Sequence, residues 1–226
     1  MTTPELLSRI PLFENLGSED LEDLSILLRE QKVKKGDVLF RKTSEGNALY
    51  FIRQGAIKIV LPSRLGDERI VTIFTAGDFF GEMSLLDGMP RSADAVAAKD
   101  SRVLILDRSD FLRFLKNNES AIEKILSTLS LRLRKTDELL EDLTFLNIPA
   151  RFAKKLLDIG ETFGQRDGDT VQVSLKLSQQ ELADMVGATR ESINKELRVL
   201  REKGLVTVTD KNIHIHDINR LKRRIH

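Results

Sequence analysis

Cysteine and tryptophan are absent from this chain of 226 residues, and the aromatic fraction is only 5%. Without cysteine there can be no disulfide, no thiolate zinc site and no cysteine-ligated iron–sulfur cluster. A cysteine-free chain is compatible with a reducing cytoplasm. Because aromatic residues are scarce, leucine, isoleucine and valine are expected to fill most of the core.

Long apolar runs are missing as well. No stretch approaches the roughly 18 apolar residues of a membrane-spanning helix. The N-terminal segment carries Pro4 and Glu5 and has no apolar run of signal-peptide length. We therefore expect a soluble, cytoplasmic protein without a membrane partner.

Charge is nearly balanced, with a formal net charge of +1. Residues 147–226 hold 15 Lys and Arg against 11 Asp and Glu, whereas the remainder holds 21 against 24. The basic excess therefore lies in the C-terminal part, which weakly favours nucleic-acid binding there.

Regularly spaced glycines mark the first half of the chain, at 36, 46, 55, 66, 77 and 88. Short β-prone segments lie between them, at 38–40, 49–52, 56–60 and 69–74. This rhythm of strand and turn predicts an antiparallel sandwich or barrel. Residues 5–10 and 18–30 are expected to form short helices, the second capped by Ser18.

A helix without glycine or proline is expected from about residue 108 to 147. Steps of four and three connect Ile122, Leu126, Leu129, Leu133, Thr136, Leu140 and Leu143. Such a heptad seam could be buried against its own domain, but its strict alternation favours a parallel homodimeric coiled coil. Thr136 could fix the register of that seam or contact a ligand beside it. A second apolar set off the seam could pack on the sheet and comprises Ile125, Leu131, Leu139 and Leu146.

A second domain is expected after residue 147, because Pro149 can end one helix and begin the next. Residues 149–163 are predicted to be helical, followed by a loop over 164–168 and a β-prone stretch over 170–175.

Residues 178–202 have the pattern of a helix-turn-helix. Ser178 and Glu181 form a capping box at the start of a short helix, and Gly187 provides the turn. Thr189 then caps a second helix, and the β-prone stretch after Gly204 predicts a two-stranded wing.

The exposed side of the second helix has the composition of a recognition helix. Arginine can pair with guanine and glutamate can accept from cytosine in the major groove. Gln180 and Thr189, at helix starts, are candidate phosphate contacts. The alternative is a pair of packed helices with a solvated face, but the capping box, turn and wing together favour double-stranded DNA binding. The candidate base-reading residues are Arg190, Glu191, Asn194 and Lys195.

Residues 77–95 pair a Gly81-Glu82 step with an Arg91-Ser92 step around one predicted helical turn. A guanidinium with hydroxyl or backbone donors suits a phosphate. A carboxylate suits a ribose hydroxyl. Taken in isolation, Glu82 and Arg91 could also be no more than a surface ion pair.

With these motifs in this order, the chain resembles the cyclic-AMP receptor protein/fumarate-nitrate regulator family over essentially its whole length. The resemblance implies that Glu82 binds the ribose 2′-hydroxyl, that Arg91 and Ser92 hold the cyclic phosphate, and that Gly81 offers backbone contacts. It also places Arg132 and Thr136 near the ligand. Asp137 stands where similar regulators have serine, which bears on purine selectivity.

The resemblance implies an α+β chain: a β-roll sensor (1–117), a dimerisation helix (118–147) and a winged helix-turn-helix (148–226). The implied function is a homodimeric transcriptional regulator, controlled by a cyclic nucleotide, most simply cyclic AMP. Its expected partners are a palindromic operator with TGTGA-like half-sites and RNA polymerase. Lys195 stands where the family commonly has arginine.

Three alternatives to this interpretation remain: a relative with another effector or none, a nucleotide-binding module acting on a protein partner, and an enzyme. The enzyme is least favoured, because no Ser/His/Asp constellation, P-loop or zinc-ligand spacing is present. All three histidines are C-terminal, which argues against a haem ligand in the sensor. His214 and His216 alternate on one strand, where we expect wing side chains rather than a metal pair. No obligatory cofactor is expected.

Overall fold

The computed structural model describes residues 3–8, 10, 13, 16–63 and 68–225. Gly66, one of the regularly spaced glycines, lies outside these residues. The chain divides into two compact units, residues 1–133 and 134–226. Among the described residues, none of the helices is both long and apolar enough to cross a lipid bilayer.

The first unit contains short helices around an antiparallel sheet. Its elements are α1 (Thr3–Leu7), α2 (Ser18–Leu27), β1 (Arg29–Val33), β2 (Val38–Phe40), β3 (Ala48–Pro62), β4 (Glu68–Thr75), β5 (Phe79–Phe80), α3 (Glu82–Asp87), β6 (Asp94–Asp107) and α4 (Arg108–Asn117). Helix α2 begins at Ser18, as expected, but its N-cap is Gly17, so the prediction that Ser18 caps it was wrong. Strand β1 begins at Arg29, inside the segment that was predicted to be helical.

The strands are ordered β1-β6-β3-β4, with β2 paired to β6 and β5 paired to β3, and all of these pairs are antiparallel. The predicted antiparallel β-fold is thus confirmed.

Gly55 does not mark a turn, so the two predicted strands at 49–52 and 56–60 are one continuous strand, β3. The register between β3 and β6 shifts on both sides of Gly55. A Cβ atom at Gly55 would lie 2.1 Å from Ser101 Oγ. The glycine is therefore needed for the close approach of two strands at a bulge, not for a reversal of the chain.

Two hydrophobic core clusters pack against this sheet, one rich in leucine and phenylalanine and one rich in isoleucine, valine and alanine. One cluster joins the N-terminal helices to the sheet through residues such as Phe13, Phe51 and Phe111. The other contains Ile52, Phe80 and smaller residues of β6.

The predicted long helix is two helices, because Asn118 separates α4 from α5 (Glu119–Phe145). Ile125 is buried in the core of the first unit, as expected for the second apolar set. Leu131 is exposed, so the prediction that this residue packs on the sheet was wrong. Most of the heptad seam is solvent-exposed, although Leu129 packs against the core of its own unit.

The second unit contains the end of α5 and a helical domain with a small sheet. Its further elements are α6 (Ile148–Phe163), β7 (Gly164–Asp167), β8 (Thr170–Val173), α7 (Gln179–Val186), α8 (Arg190–Glu202), β9 (Val206–Thr209), β10 (Asn212–Ile215) and α9 (Ile218–Lys222). The sheet is antiparallel in the order β7-β8-β10-β9. Strand β7 replaces the loop that was predicted over 164–168, because its backbone pairs with β8. Helix α9 was not predicted.

The helix-turn-helix forms as the sequence predicts. The capping box of Ser178 and Glu181 is complete, and Gly187 ends α7. The Thr189 side chain accepts a hydrogen bond from Ser192 N, which fixes the start of α8. Strands β9 and β10 form the expected wing.

Candidate functional site

Arg91 is a buried charged side chain of the first unit, held by two backbone carbonyls and an aromatic ring. Its Nη1 donates to Gly81 O and its Nη2 to Ala48 O, both at 2.7 Å. Its guanidinium carbon lies 4.2 Å from the centre of the Phe40 ring. Burial lowers the pKa of Arg91, while Tyr50 and Glu82 act in the opposite direction. Such a guanidinium still carries its charge at neutral pH.

One donor of Arg91 is unused. Its Nε is buried and has no hydrogen-bond partner among the described residues. A buried donor without a partner is costly unless a ligand or water satisfies it. An anionic oxygen that reached this atom would therefore gain a charge-assisted hydrogen bond.

Gly81 makes room for that arginine. Its φ of +86° belongs to the left-handed region, which side chains with a Cβ rarely adopt. A Cβ atom here would lie 2.6 Å from Arg91 Nη1. The glycine next to Glu82 is therefore required both by the backbone and by the position of Arg91.

Glu82 is buried at the first position of α3, and its partner is Arg132. Arg132 Nη1 donates to Glu82 Oε1 at 2.7 Å, and Arg132 Nη2 donates to Phe79 O. The Arg132 guanidinium carbon also lies 4.4 Å from the Phe74 ring centre. A largely buried ion pair thus orients the carboxylate that the sequence assigns to a ribose hydroxyl.

The remaining candidate ligand residues lie on the surface. Ser92 is exposed, and its Oγ donates to Met83 Sδ at 3.5 Å. Thr136 and Asp137 lie on α5 beyond Arg132, in the second unit, and both are exposed. The structure therefore brings Gly81, Arg91 and the Glu82–Arg132 pair into the first unit around α3, and leaves Thr136 and Asp137 outside that unit.

The candidate DNA-reading side chains lie at the start of α8. Arg190, Glu191 and Lys195 are exposed there, whereas Asn194 is half-buried. Asn194 Oδ1 is buried and finds no hydrogen-bond partner in the part of the chain that the structure describes. Gln180, exposed on α7, donates from Nε2 to Asp184 Oδ1 at 2.8 Å. That bond leaves one amide hydrogen of Gln180 for a phosphate.

His214 lies on β10, whereas His216 follows the end of that strand, so the expectation that both alternate on one strand holds only for His214. His216 Nε2 lies 2.9 Å from Thr207 Oγ1 of β9, so the ring is hydrogen-bonded within the wing. The described residues contain no group of three histidine, aspartate or glutamate side chains that could hold a metal ion.

Arg151 joins two helix ends in the second unit, a role that no sequence motif marked. Its Nη1 donates to Leu146 O, just after α5, at 2.8 Å. Its Nε donates to Val186 O, at the end of α7, at 3.1 Å. Nearby, Lys154 Nζ lies 2.7 Å from Asp142 Oδ1. These bonds hold α6 against the ends of α5 and α7.

A C-terminal arginine supports the recognition helix. Arg224 Nη2 lies 3.1 Å from Glu196 Oε2 of α8, and both side chains are largely buried. Helix α9, which precedes Arg224, is anchored by the buried Leu221 and capped by Asp217. On α8, Glu196 points away from the side that carries Arg190 and Lys195. The pair therefore stabilises α8 on the side opposite to the candidate base-reading residues.

We expect Arg224→Ala to lower the free energy of unfolding by about 1–3 kcal/mol, because the poorly solvated carboxylate of Glu196 would lose its partner. DNA affinity should also fall at temperatures where the variant remains folded. Thermal unfolding and operator titration measure the two effects. Arg223→Ala is the matched control, because its exposed side chain is the neighbour of Arg224. Equal effects of the two substitutions would contradict this role.

Two family sequence models match the chain. Residues 30–118 match the cyclic nucleotide-binding domain, and residues 150–224 match the Crp-like helix-turn-helix domain. The first match contains the α3 cluster around Arg91, and the second contains α7, α8 and the wing.

Curated relatives share nearly the full length of the chain. The CRP-like cAMP-activated global transcriptional regulator of Mycobacterium tuberculosis is 33% identical over 220 residues, covering 97% of this chain and 98% of the relative. The cyclic AMP receptor protein of Thermus thermophilus is 30% identical, covering 92% and 93%.

A solved structure shares the fold. The c-di-GMP responsive global regulator CLP of Xanthomonas campestris superposes with a TM-score of 0.78 at 21% identity, covering 88% of this chain and 99% of that chain. The two domain matches and the identity to the mycobacterial relative confirm the predicted family. The chain belongs to the CRP/FNR family of transcriptional regulators, with a cyclic nucleotide-binding domain followed by a DNA-binding helix-turn-helix domain.

Proposed function

We propose that this protein is a homodimeric, cytoplasmic transcriptional regulator that binds cyclic AMP in its first unit and a palindromic operator with its second. In this role the chain is not an enzyme, and RNA polymerase is its partner at the promoter. The chain is divided into a sensor (1–117), a dimerisation helix (118–147) and a DNA-binding domain (148–226).

The buried Arg91 guanidinium, with an unpaired Nε, is the observation that carries the effector assignment. In the proposed complex Arg91 and Ser92 hold the cyclic phosphate, Glu82 accepts from the ribose hydroxyl, and Gly81 presents its backbone. Arg132 orients Glu82 through their 2.7 Å contact. Thr136 and Asp137 are the proposed contacts to the purine.

DNA recognition is proposed to depend on α8. Arg190, Glu191 and Lys195 read base edges of TGTGA-like half-sites, with Asn194 beside them, while Gln180 and Thr189 contact phosphates. Two such helices in a dimer must be separated by one turn of DNA, roughly 34 Å. Effector binding shifts the population of dimers toward that spacing.

A second candidate effector is supported by Asp137. Its carboxylate replaces the hydroxyl that similar regulators place after the threonine, and it could accept a hydrogen bond from a different base edge. The structural relative from Xanthomonas campestris is itself described as responsive to c-di-GMP. The alternative to control by cyclic AMP is therefore a regulator of the same fold that responds to another effector.

Calorimetric titration of the purified protein with cyclic AMP, cyclic GMP and c-di-GMP, each followed by operator titration, tests the proposal. We expect saturable cyclic AMP binding and a gain of operator affinity with that nucleotide. Preference for another nucleotide would favour the alternative effector. Full operator affinity without any nucleotide would overturn effector control while leaving DNA binding intact.

The exposed leucines of the heptad seam are the proposed dimer contact. Leu140 is 65% exposed in the single chain, as a residue at a coiled-coil interface would be. We expect Leu140→Lys to convert the dimer to a monomer at micromolar concentration, because a lysine would lie in the apolar seam. Sedimentation equilibrium measures the change.

Leu131→Lys provides a matched control for this substitution. Leu131 is 58% exposed but lies off the seam on the same helix. The same change of side chain should therefore leave the dimer intact. Equal dissociation of both variants, or of neither, would contradict the proposed seam.

A further inference from the structure

Methionine provides all the sulfur of this chain, because it has 4 methionines and no cysteine. Met83 is 50% exposed and Met89 is 63% exposed, whereas Met185 is 8% exposed. Of the three methionines in the described residues, the two with accessible thioethers thus lie on α3 and just after it, close in sequence to Glu82 and Arg91. With no thiol to compete, an oxidant meets these two sulfur atoms before that of the buried Met185.

Met83 differs from Met89 because it contacts Ser92, a candidate effector-binding residue. Its Sδ accepts a hydrogen bond from Ser92 Oγ at 3.5 Å. A thioether sulfur is a weak acceptor, so a phosphate oxygen readily takes the Ser92 hydroxyl from it. The Met89 side chain makes no hydrogen bond of this kind within the described residues, and its backbone N–H donates to Asp87 Oδ1.

We propose that Met83 is a site of reversible oxidation that regulates effector binding through Ser92. The inference rests on the proposed function, since it assumes that Ser92 holds the cyclic phosphate. The oxidant class is a peroxide, and the product is methionine sulfoxide.

The chemistry is balanced with hydrogen peroxide alone. A lone pair of Met83 Sδ attacks one peroxide oxygen, the O–O bond breaks and an S–O bond forms. Proton transfer from the attacked oxygen to the departing one releases water. The sulfur loses two electrons and the peroxide gains them. Sulfoxide reductases with a dithiol donor reverse the step.

The sulfoxide changes the competition for the Ser92 hydroxyl. Its oxygen is a strong acceptor and is attached to the atom that already faces Ser92 Oγ. The phosphate must then displace a hydrogen bond of ordinary strength rather than a weak one. We expect cyclic AMP affinity to fall roughly two- to tenfold, the factor that corresponds to one such bond.

The test compares affinity before oxidation, after it and after repair. The full-length protein is treated with hydrogen peroxide, and peptide mass spectrometry determines which methionines have gained one oxygen atom. Cyclic AMP is titrated by calorimetry into the untreated, oxidised and reductase-repaired samples. Thermal unfolding of each sample checks that the fold is retained.

Met83→Leu and Met89→Leu are the paired variants, because leucine keeps the volume and cannot be oxidised. Oxidation should weaken binding in wild type and in Met89→Leu but leave the affinity of Met83→Leu where it was before treatment. Ser92→Ala should likewise lose the sensitivity. Repair should restore the wild-type affinity.

Three results would overturn the inference. These are a Met83 sulfoxide with unchanged affinity, an equal loss in Met83→Leu, and resistance of Met83 to peroxide that oxidises Met89. If the untreated protein binds no cyclic nucleotide, the proposed function fails first and this inference falls with it. Binding in the untreated protein that does not respond to oxidation defeats this inference alone.

Discussion

Arg91→Ala is expected to weaken cyclic AMP binding roughly 100-fold or more, because the buried positive charge and its charge-assisted hydrogen bonding to the phosphate would be lost. The loss has a structural part as well. Gly81 O and Ala48 O each accept a 2.7 Å bond from this side chain and would lose it. We therefore expect the free energy of unfolding to fall by about 2–4 kcal/mol. Calorimetry and thermal unfolding separate the two effects.

Arg91→Lys distinguishes loss of charge from loss of geometry. Lysine keeps the positive charge but cannot bond two carbonyls and a phosphate with one planar group. Arg91→Lys should therefore recover part of the stability that Arg91→Ala loses, and a smaller part of the affinity for cyclic AMP. Arg102→Ala is the matched control, because Arg102 lies on the same sheet in an exposed pair with Glu30 at 3.6 Å. Near wild-type affinity in a folded Arg91→Ala would contradict the assignment.

Arg190→Ala should weaken operator binding roughly 30-fold or more, since a bidentate guanine contact contributes about 1–3 kcal/mol and a dimer would lose two of them. Affinity for random DNA should change little, because it depends mainly on phosphate contacts. Fluorescence anisotropy at a fixed salt concentration with both DNAs measures the ratio.

Arg201→Ala is the control for this substitution. Arg201 is an exposed arginine in the last turn of α8, at the opposite end from Arg190. Its removal deletes the same charge from the same helix but not the proposed base contact. Equal losses for both variants, or an equal loss on random DNA, would mean that Arg190 contributes only electrostatic attraction.

The parts of the fold that could be predicted depend on local chemistry. A capping box, a turn glycine and an N-cap threonine each act within a few residues, so the helix-turn-helix was predicted with its helix starts. The glycine-punctuated β-prone segments likewise predicted an antiparallel sheet. Local rules failed where a distant strand decided the outcome, as at Gly55, whose role depends on Ser101.

In the candidate site, too, local features could be predicted and long-range contacts could not. The sequence pointed to Glu82 and Arg91 from residue type and resemblance, but it could not show that Arg91 is buried between two carbonyls contributed by β3 and the turn before α3. Nor could it show that Met83 lies against Ser92. The pairing of Arg224 with Glu196 joins residues that lie far apart in the chain, and no pattern in either segment marks it. Such contacts are consequences of tertiary packing.

The order of strands in the first sheet has a consequence for how the chain acquires its fold during synthesis. Strand β1 is made early, yet its partner is β6, and Arg29 pairs with Ile105. Pairings between strands so far apart in sequence are slow to form, because a long loop must close before any bond rewards it. The first strand therefore leaves the ribosome with an unpaired edge that can associate with other chains. The helix-turn-helix, whose contacts are local, can form as soon as it is made. Folding of the sensor, rather than of the DNA-binding unit, is thus the step at which a nascent chain is most exposed to aggregation.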